Sequence, residues 1–403
     1  MSPLRRACVA VAAVALVATG GSAAHARTAD AAPQKTTVKS GCNAKGIYTV
    51  CFNSPGIKHG GDPAVINKMT QIFASAGAGD TVRVAMFRWD IAASATALIN
   101  AQKRGAHVEI VADDDVGTNP VGKNLLATIE AGEPGTNVTV CNGACLPWRG
   151  HGPAPPSQNV NHLKLILADI GGVQSVITSS NNLEKRQYIQ YNSLLKIDDP
   201  ALYAWQLEYF KRLRAQSLTV DGQRWTDAQK AYRGEPPAMV YPRMGDLLVK
   251  TLKGVTCAKG MNRVDILIAV VQRYDVRTQI GRLFLDGCRM RIITTRDLIE
   301  NWLQKPFRLP DGRTVDIPDD RVRTVIAHDK VYAIHAKFHG KERYLVVTGT
   351  SNTTCGGLLY NDEVMVRLKG KWLFDTYDAH VSDAYHHAHQ ARVSAVPVQA
   401  HCS

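Results

Sequence analysis

The chain has 403 residues, 45% of them hydrophobic and 21% charged, a balance that excludes a mainly disordered or collagen-like protein. Lysines and arginines number 48 against 35 aspartates and glutamates, a formal net charge of +13, which favours an anionic partner such as nucleic acid, acidic lipid headgroups or a wall polymer and says nothing about fold. The length suits two domains or two halves of one, and past the N-terminal segment no apolar run is long enough for an integral membrane span.

Arg5 and Arg6 precede an apolar, Ala- and Val-rich stretch over residues 7–20, and Ala24-His25-Ala26 is a small-residue cleavage pattern. Residues 1–26 therefore read as a signal peptide, with the mature protein starting near Arg27 and secreted to the extracellular space. The segment holds two arginines and no acid, so its removal lowers the charge from +13 to +11. Cys8 leaves with it. The other eight cysteines suit disulfides outside the cytoplasm. Cys42–Cys51 and Cys141–Cys145 are close enough for local staples, and Cys257–Cys288 and Cys355–Cys402 then pair within the second half; spacing alone leaves other connectivities open. Cys141 and Cys145 as half a zinc site lack a matching second pair.

The chain then repeats itself. Residues 81–90 form an apolar, β-branched run ending at Trp89-Asp90, and residues 264–275 do the same, ending at Tyr274-Asp275. Helical patterns follow over 93–104 and 277–286, each stopped by a glycine, Gly105 or Gly287. Second strands are expected over 107–112 and 289–294, so each half opens with β-α-β and parallel strands. Strand pairs follow at 163–167 with 173–178, and at 336–338 with 344–348. The polar segment 217–243, with Gly234-Glu235-Pro236-Pro237 inside it, reads as a linker. The fold class is α/β: two similar β/α halves from an internal duplication, residues 27–216 and 244–403, with mixed sheets flanked by helices and an active site at their interface.

Each half carries a histidine-lysine motif. His162, Lys164 and Asp169 stand at HxKx4D spacing, and His335, Lys337 and Glu342 at HxKx4E. Alternate residues of a strand face one side, so His162 points with Lys164, and His335 with Lys337. A polar cluster follows each motif: Thr178-Ser179-Ser180-Asn181-Asn182, then Thr348-Gly349-Thr350-Ser351-Asn352. Lysines, hydroxyls and asparagines can surround phosphate oxygens with donors. One neutral imidazole can attack phosphorus, and a second, protonated, can donate to the leaving oxygen and then activate water. Histidine suits both tasks because its pKa is near neutral.

On these motifs the sequence resembles the phospholipase D superfamily, over most of the mature chain. The resemblance implies His162 as nucleophile forming a covalent phosphohistidine and His335 as general acid/base, with Lys164, Lys337, Asp169 and Glu342 completing the motifs. It implies phosphate binding by Ser180, Asn182, Thr350 and Asn352. It also implies an acid shortly after each polar cluster to orient a histidine. Glu363 fits in the second half. Asn192 and Ser193 stand at that point in the first, so His162 is oriented by a neutral group or by an acid from elsewhere. No metal or other cofactor is implied.

The shared site does not separate lipid from nucleic-acid diesters. A secreted, basic, two-motif chain most resembles secreted bacterial phospholipases D, which implies hydrolysis of the distal phosphodiester of phospholipids at a membrane surface, transfer to alcohols as a side reaction, and a monomer. The alternatives are a secreted phosphodiesterase or endonuclease acting on nucleic acid, and a catalytically weak phosphate-binding protein. His380, His386, His387 and His389 read as a solvated helix face.

Overall fold

The computed structural model describes residues 40–55, 60–132, 137–146, 159–243, 245–258, 262–295, 303, 305–390 and 402. The expected signal peptide and the mature start at Arg27 lie outside them. Apolar β-branched runs build the first sheet from β1 (Gly41–Lys45), β2 (Tyr48–Asn53), β3 (Thr81–Met86), β4 (His107–Asp113), β5 (Val138–Cys141), β6 (Lys164–Ile170), β7 (Val173–Ser179) and β8 (Asn192–Asp198). Their order is β1-β2-β8-β7-β6-β3-β4-β5. The pairs β3–β4 and β4–β5 are parallel and the others antiparallel, so the sheet is mixed.

The second sheet follows the same order and directions, position by position. It runs Ala231–Tyr232, Ala238–Tyr241, Glu363–Lys369, Lys341–Gly349, Lys330–Phe338, Arg263–Ile268, Arg289–Thr295 and Val322–Val325. Its two parallel pairs again sit at the end of the order. Two short strands extend it, Val255–Thr256 and His389–Gln390. The segment read as a linker thus contributes strands: Ala238–Tyr241 pairs with Glu363–Lys369 as β2 pairs with β8. Four short apolar residues between proline-rich turns carried too little periodicity to show this.

Strand alternation divides the core into layers. Helices Ala64–Ser75, Ala92–Lys103 and Pro120–Gly132 cover one face of the first sheet, where Val82, Val84, Ile166 and Ala168 point. Helices Leu247–Gly254 and Tyr274–Leu285 cover one face of the second, against Ile266, Tyr332 and Ile334. Between the sheets, Leu165, Leu167 and Leu195 share one apolar cluster with Val331, Ala333, Val364 and Val366. Two helices fill that layer, Pro200–Arg214 and Lys371–His387. The first starts cleanly because Asp199 accepts the amides of Ala201 and Leu202, with Pro200 in the first turn. The two halves are therefore joined by a common core.

All four expected disulfides are present, Cys42–Cys51, Cys141–Cys145, Cys257–Cys288 and Cys355–Cys402. Among the described residues no helix is long and apolar enough to cross a membrane. His380 corrects one expectation. It is fully buried, stacked on Phe52 with ring centroids 4.2 Å apart, and its Nε2 lies 2.9 Å from Asp329 Oδ2. A helix facing the shared core has no solvated histidine face at that turn.

Candidate active site

His162 and Lys164 stand at the start of β6, at the end of the sheet to which the parallel strands direct their carboxyl termini. The lysine ammonium donates to the carbonyl of its own histidine, Nζ to O 2.7 Å. In the second half the same construction occurs at His328 and Lys330, at the start of the strand Lys330–Phe338, where Lys330 Nζ donates to the His328 carbonyl. His328, rather than His335, is the partner of His162.

The reason lies in strand length and face. His335 is seven residues past His328, roughly 23 Å along an extended strand. It occupies the place that Asp169 holds in β6, seven residues past His162. His335 is also five residues past Lys330 and so on the opposite face. There it stacks on Tyr344 with centroids 4.1 Å apart and lies against Phe374. Its Nε2 meets Glu342 Oε1 at 2.6 Å, and Lys337 is exposed. Asp169 is likewise remote from His162, its Oδ2 accepting from Gln174 Nε2 at 3.0 Å. The structure therefore brings His162, Lys164 and Glu363 together and leaves Asp169, His335, Lys337 and Glu342 outside.

The two halves cross-brace each other's histidine. His162 Nδ1 is 2.8 Å from Glu363 Oε1, and His328 Nδ1 is 2.7 Å from the Ser180 carbonyl. A carbonyl can only accept, so His328 carries its proton on Nδ1 and presents the Nε2 lone pair. His162 does the same when Glu363 is ionised. The acid that faces His162 is thus Glu363, from the other half, and the sequence had not shown which histidine it meets.

Each polar cluster acts first as a brace. Thr350 Oγ1 donates to Glu363 Oε2 and accepts the amide of Val364. Ser180 Oγ donates to Asn192 Oδ1 at 3.0 Å and accepts the amide of Ser193 at 2.9 Å. Gly349 has φ +154, and a Cβ there would lie 2.1 Å from the Val364 carbonyl, so only glycine lets the chains pass this closely. Asn182 gives its Nδ2 to Glu184 at 3.0 Å. The side-chain oxygens of Asn182 and Asn352 are both buried without a protein partner. Ser193, which the sequence left unexplained, donates to Asp329 Oδ1 at 2.7 Å.

The electrostatics are those of a buried cationic site. Burial, then Lys330, holds Lys164 well below the ordinary lysine value. Burial brings Lys330 down to about 8, against the pull of Glu363 and Asp329. Burial, then Lys164, Lys330 and Arg88, holds His162 well below its ordinary value. Burial, then Lys330, Lys164 and His162, does the same to His328. Glu363 is raised to about 7 by burial, against Lys164, Thr350 and Lys330. Clustered buried cations are what an oxyanion would stabilise. Beside them, Phe87 lies under the ammonium of Lys164 and the guanidinium of Arg88, 5.1 and 4.7 Å from its centroid. Among the described residues no group of three or more His, Cys, Asp or Glu side chains is placed to hold a metal.

Sequence reasoning missed His328 and Lys330. The signal was there, since His328-Asp329-Lys330 is itself an HxK triplet, but the residue completing its spacing is His335 and not an acid. The strands of the second hairpin have nine residues each against seven in the first. The motif histidine is correspondingly farther from its polar cluster.

A family profile described as cardiolipin synthase, PLD-like domain, matches residues 69–214, the part of the chain that carries His162 and Lys164. Residues 69–214 therefore carry a PLD-like domain. Superfamily members act on phosphodiester bonds. The fold is similar to that of phosphatidylserine synthase from Haemophilus influenzae Rd KW20, with 10% identity and TM-score 0.54 over 84% of this chain and 87% of that one. It is also similar to polyphosphate kinase from Porphyromonas gingivalis, with 14% identity and TM-score 0.52 over 81% of this chain; the match spans about half, 48%, of the kinase. The phospholipase D family member Nuc from Salmonella typhimurium matches 42% of this chain over 95% of its own length, with 21% identity and TM-score 0.30. No curated protein matches the sequence.

Proposed function

We propose that the chain is a secreted phospholipase D that hydrolyses the distal phosphodiester of phospholipids through a covalent phosphohistidine. The observation that carries this reading is the meeting of two His-Lys pairs from opposite halves, with Glu363 on Nδ1 of His162. Lys164 and Lys330 bind the non-bridging phosphate oxygens. His162 Nε2 attacks phosphorus, and Glu363 stabilises the positive imidazole ring that results. His328 is the group to face the leaving oxygen as an acid and then to take a proton from the attacking water. An alcohol in place of water gives transphosphatidylation. Export is supported by the signal-like N-terminal sequence and by the four disulfides. The test is headgroup release from phosphatidylcholine vesicles by purified protein, with plasmid DNA in parallel. Release without nicking supports the lipase, nicking without release makes the protein a nuclease, and neither leaves a phosphate-binding protein.

A further inference from the structure

The two halves share a set of equivalent backbone bonds around the site and differ at one side chain. The amide of Asp362 donates to the Val160 carbonyl at 3.2 Å, and that of Tyr191 donates to the Ile326 carbonyl at 3.0 Å. The amide of Thr350 reaches the Val364 carbonyl at 2.9 Å, and that of Ser180 reaches the Ser193 carbonyl at 3.0 Å. These pairs put Asn192 where the other half has Glu363, each accepting from the hydroxyl of its own polar cluster. His162 therefore has a carboxylate on Nδ1, whereas His328 Nδ1 faces the Ser180 carbonyl at 2.7 Å and the Lys330 ammonium at 3.3 Å, neither of them an anion.

Among the described residues no carboxylate bonds to the His328 ring. Asp329, next in sequence to His328, directs one oxygen to Ser193 and the other to His380. Glu363 is committed to His162 and Thr350. Burial, then Lys330, Lys164 and His162, opposes protonation of the His328 ring, and the Ser180 carbonyl favours it.

Resting on the phosphodiesterase reading above, we propose that Asn192 makes this site selective for phosphodiesters whose leaving alcohol is acidic. In the first step the His162 Nε2–phosphorus bond forms and the bond from phosphorus to the leaving oxygen breaks. The leaving oxygen takes the electron pair and needs a proton. An imidazole without a carboxylate partner is rarely protonated, so the oxygen departs largely as its anion. That is tolerable for a phenol, or for an alcohol acidified by a nearby ammonium group, and slow for a simple alkyl alcohol. The second step starts from the neutral ring, the form that predominates in the resting site. Neutral His328 takes a proton from water as the new oxygen–phosphorus bond forms, and the nitrogen–phosphorus pair returns to His162. The substrate class is thus aryl diesters and those headgroup diesters with an electron-withdrawing cation near the ester oxygen.

The experiment compares methyl phosphate diesters of 4-nitrophenol, phenol and 4-methoxyphenol with wild-type protein and Asn192→Glu. In the wild type, kcat/KM is expected to fall roughly tenfold or more from the nitrophenyl to the phenyl ester, within the range that a general acid supplies. Asn192→Glu should narrow that ratio by speeding the poorer leaving groups. A wild-type rate that barely changes along the series overturns the proposal whatever the variant does. So does a ratio that a folded Asn192→Glu protein leaves unaltered. No turnover of even the nitrophenyl ester overturns the diesterase reading, and this inference with it.

Discussion

His162 Nδ1 and Glu363 Oε1 are 2.8 Å apart although 201 residues separate them in sequence. The carboxylate fixes the ring's tautomer and orientation and is positioned to stabilise its cation. Glu363→Gln keeps the shape and removes the charge. Its kcat against a soluble diester is expected to fall at least ~10²-fold, as when an orienting carboxylate is lost from a catalytic histidine. Thermal unfolding should change little, because the same substitution relieves the burial that raises this carboxyl to about 7. A variant with undiminished kcat removes Glu363 from the mechanism.

His328 and His335 compete for one role and are easily told apart. His328→Asn should abolish measurable turnover. His335→Asn removes a ring only 24% exposed, paired with an exposed glutamate and stacked on Tyr344. It should cost about 1 kcal/mol of stability or less and leave turnover within a small factor of wild type. The opposite pattern in a steady-state assay would restore His335–Lys337 as the second motif.

Phosphate binding should take up protons. Lys330 is held at about 8, so at that pH about half of the free protein lacks this proton. An oxyanion beside the ammonium raises its pKa, and protonation follows. Calorimetry of inorganic phosphate binding at pH 8, in two buffers of different ionisation enthalpy, should show net uptake. Affinity should weaken as pH rises above 8. In the unliganded protein the stability linkage has the opposite sign. Between about 8 and the ordinary lysine value of 10.5 the unfolded chain holds a proton that the native lysine has lost, so this group's contribution to stability rises with pH. Proton release on binding would refute the assignment.

The Cys141–Cys145 loop is tied to the site through Asp362. Its buried carboxylate accepts the amides of Cys145 and Leu146 at 2.5 and 3.3 Å. Asn361 beside it accepts the amide of Val160 at 3.2 Å, next to His162 in the fold. Replacing both cysteines by serine should remove about 2 kcal/mol, the chain-entropy value for so small a loop. It should also lower kcat against a soluble diester, as Glu363 loses its anchorage. Denaturant titration and kinetics on the same sample separate the two effects; an unaltered kcat would make the loop a local staple only.

Much of this was legible in the sequence, and the gaps have physical causes. The run 81–86 and the helices stopped by Gly105 and Gly287 followed from patterns that act over a few residues, and the disulfides form in the expected pairing although spacing alone left other connectivities open. The first histidine and Glu363 were likewise readable. The second histidine was not, because a second HxK triplet, His335-Ala336-Lys337, stands seven residues farther on and completes the acid spacing that His328-Asp329-Lys330 lacks. The strand, expected to start at residue 336, starts at Lys330. The service of Glu363 to the opposite half is tertiary, since nothing local links residue 363 to residue 162. The strand Ala238–Tyr241 escaped for a related reason: its partner, Glu363–Lys369, lies more than a hundred residues downstream.

The apolar layer shared by Leu165, Leu195, Val331 and Val364 makes the polypeptide a candidate for reconstitution from two pieces. Cut in the polar stretch before Ala231, each fragment would keep one histidine, lack the group that braces it, and bare a greasy face. Neither alone should turn over a diester. Mixed, they should dock through that face and recover activity together, an obligate complementation written into the placement of a single glutamate.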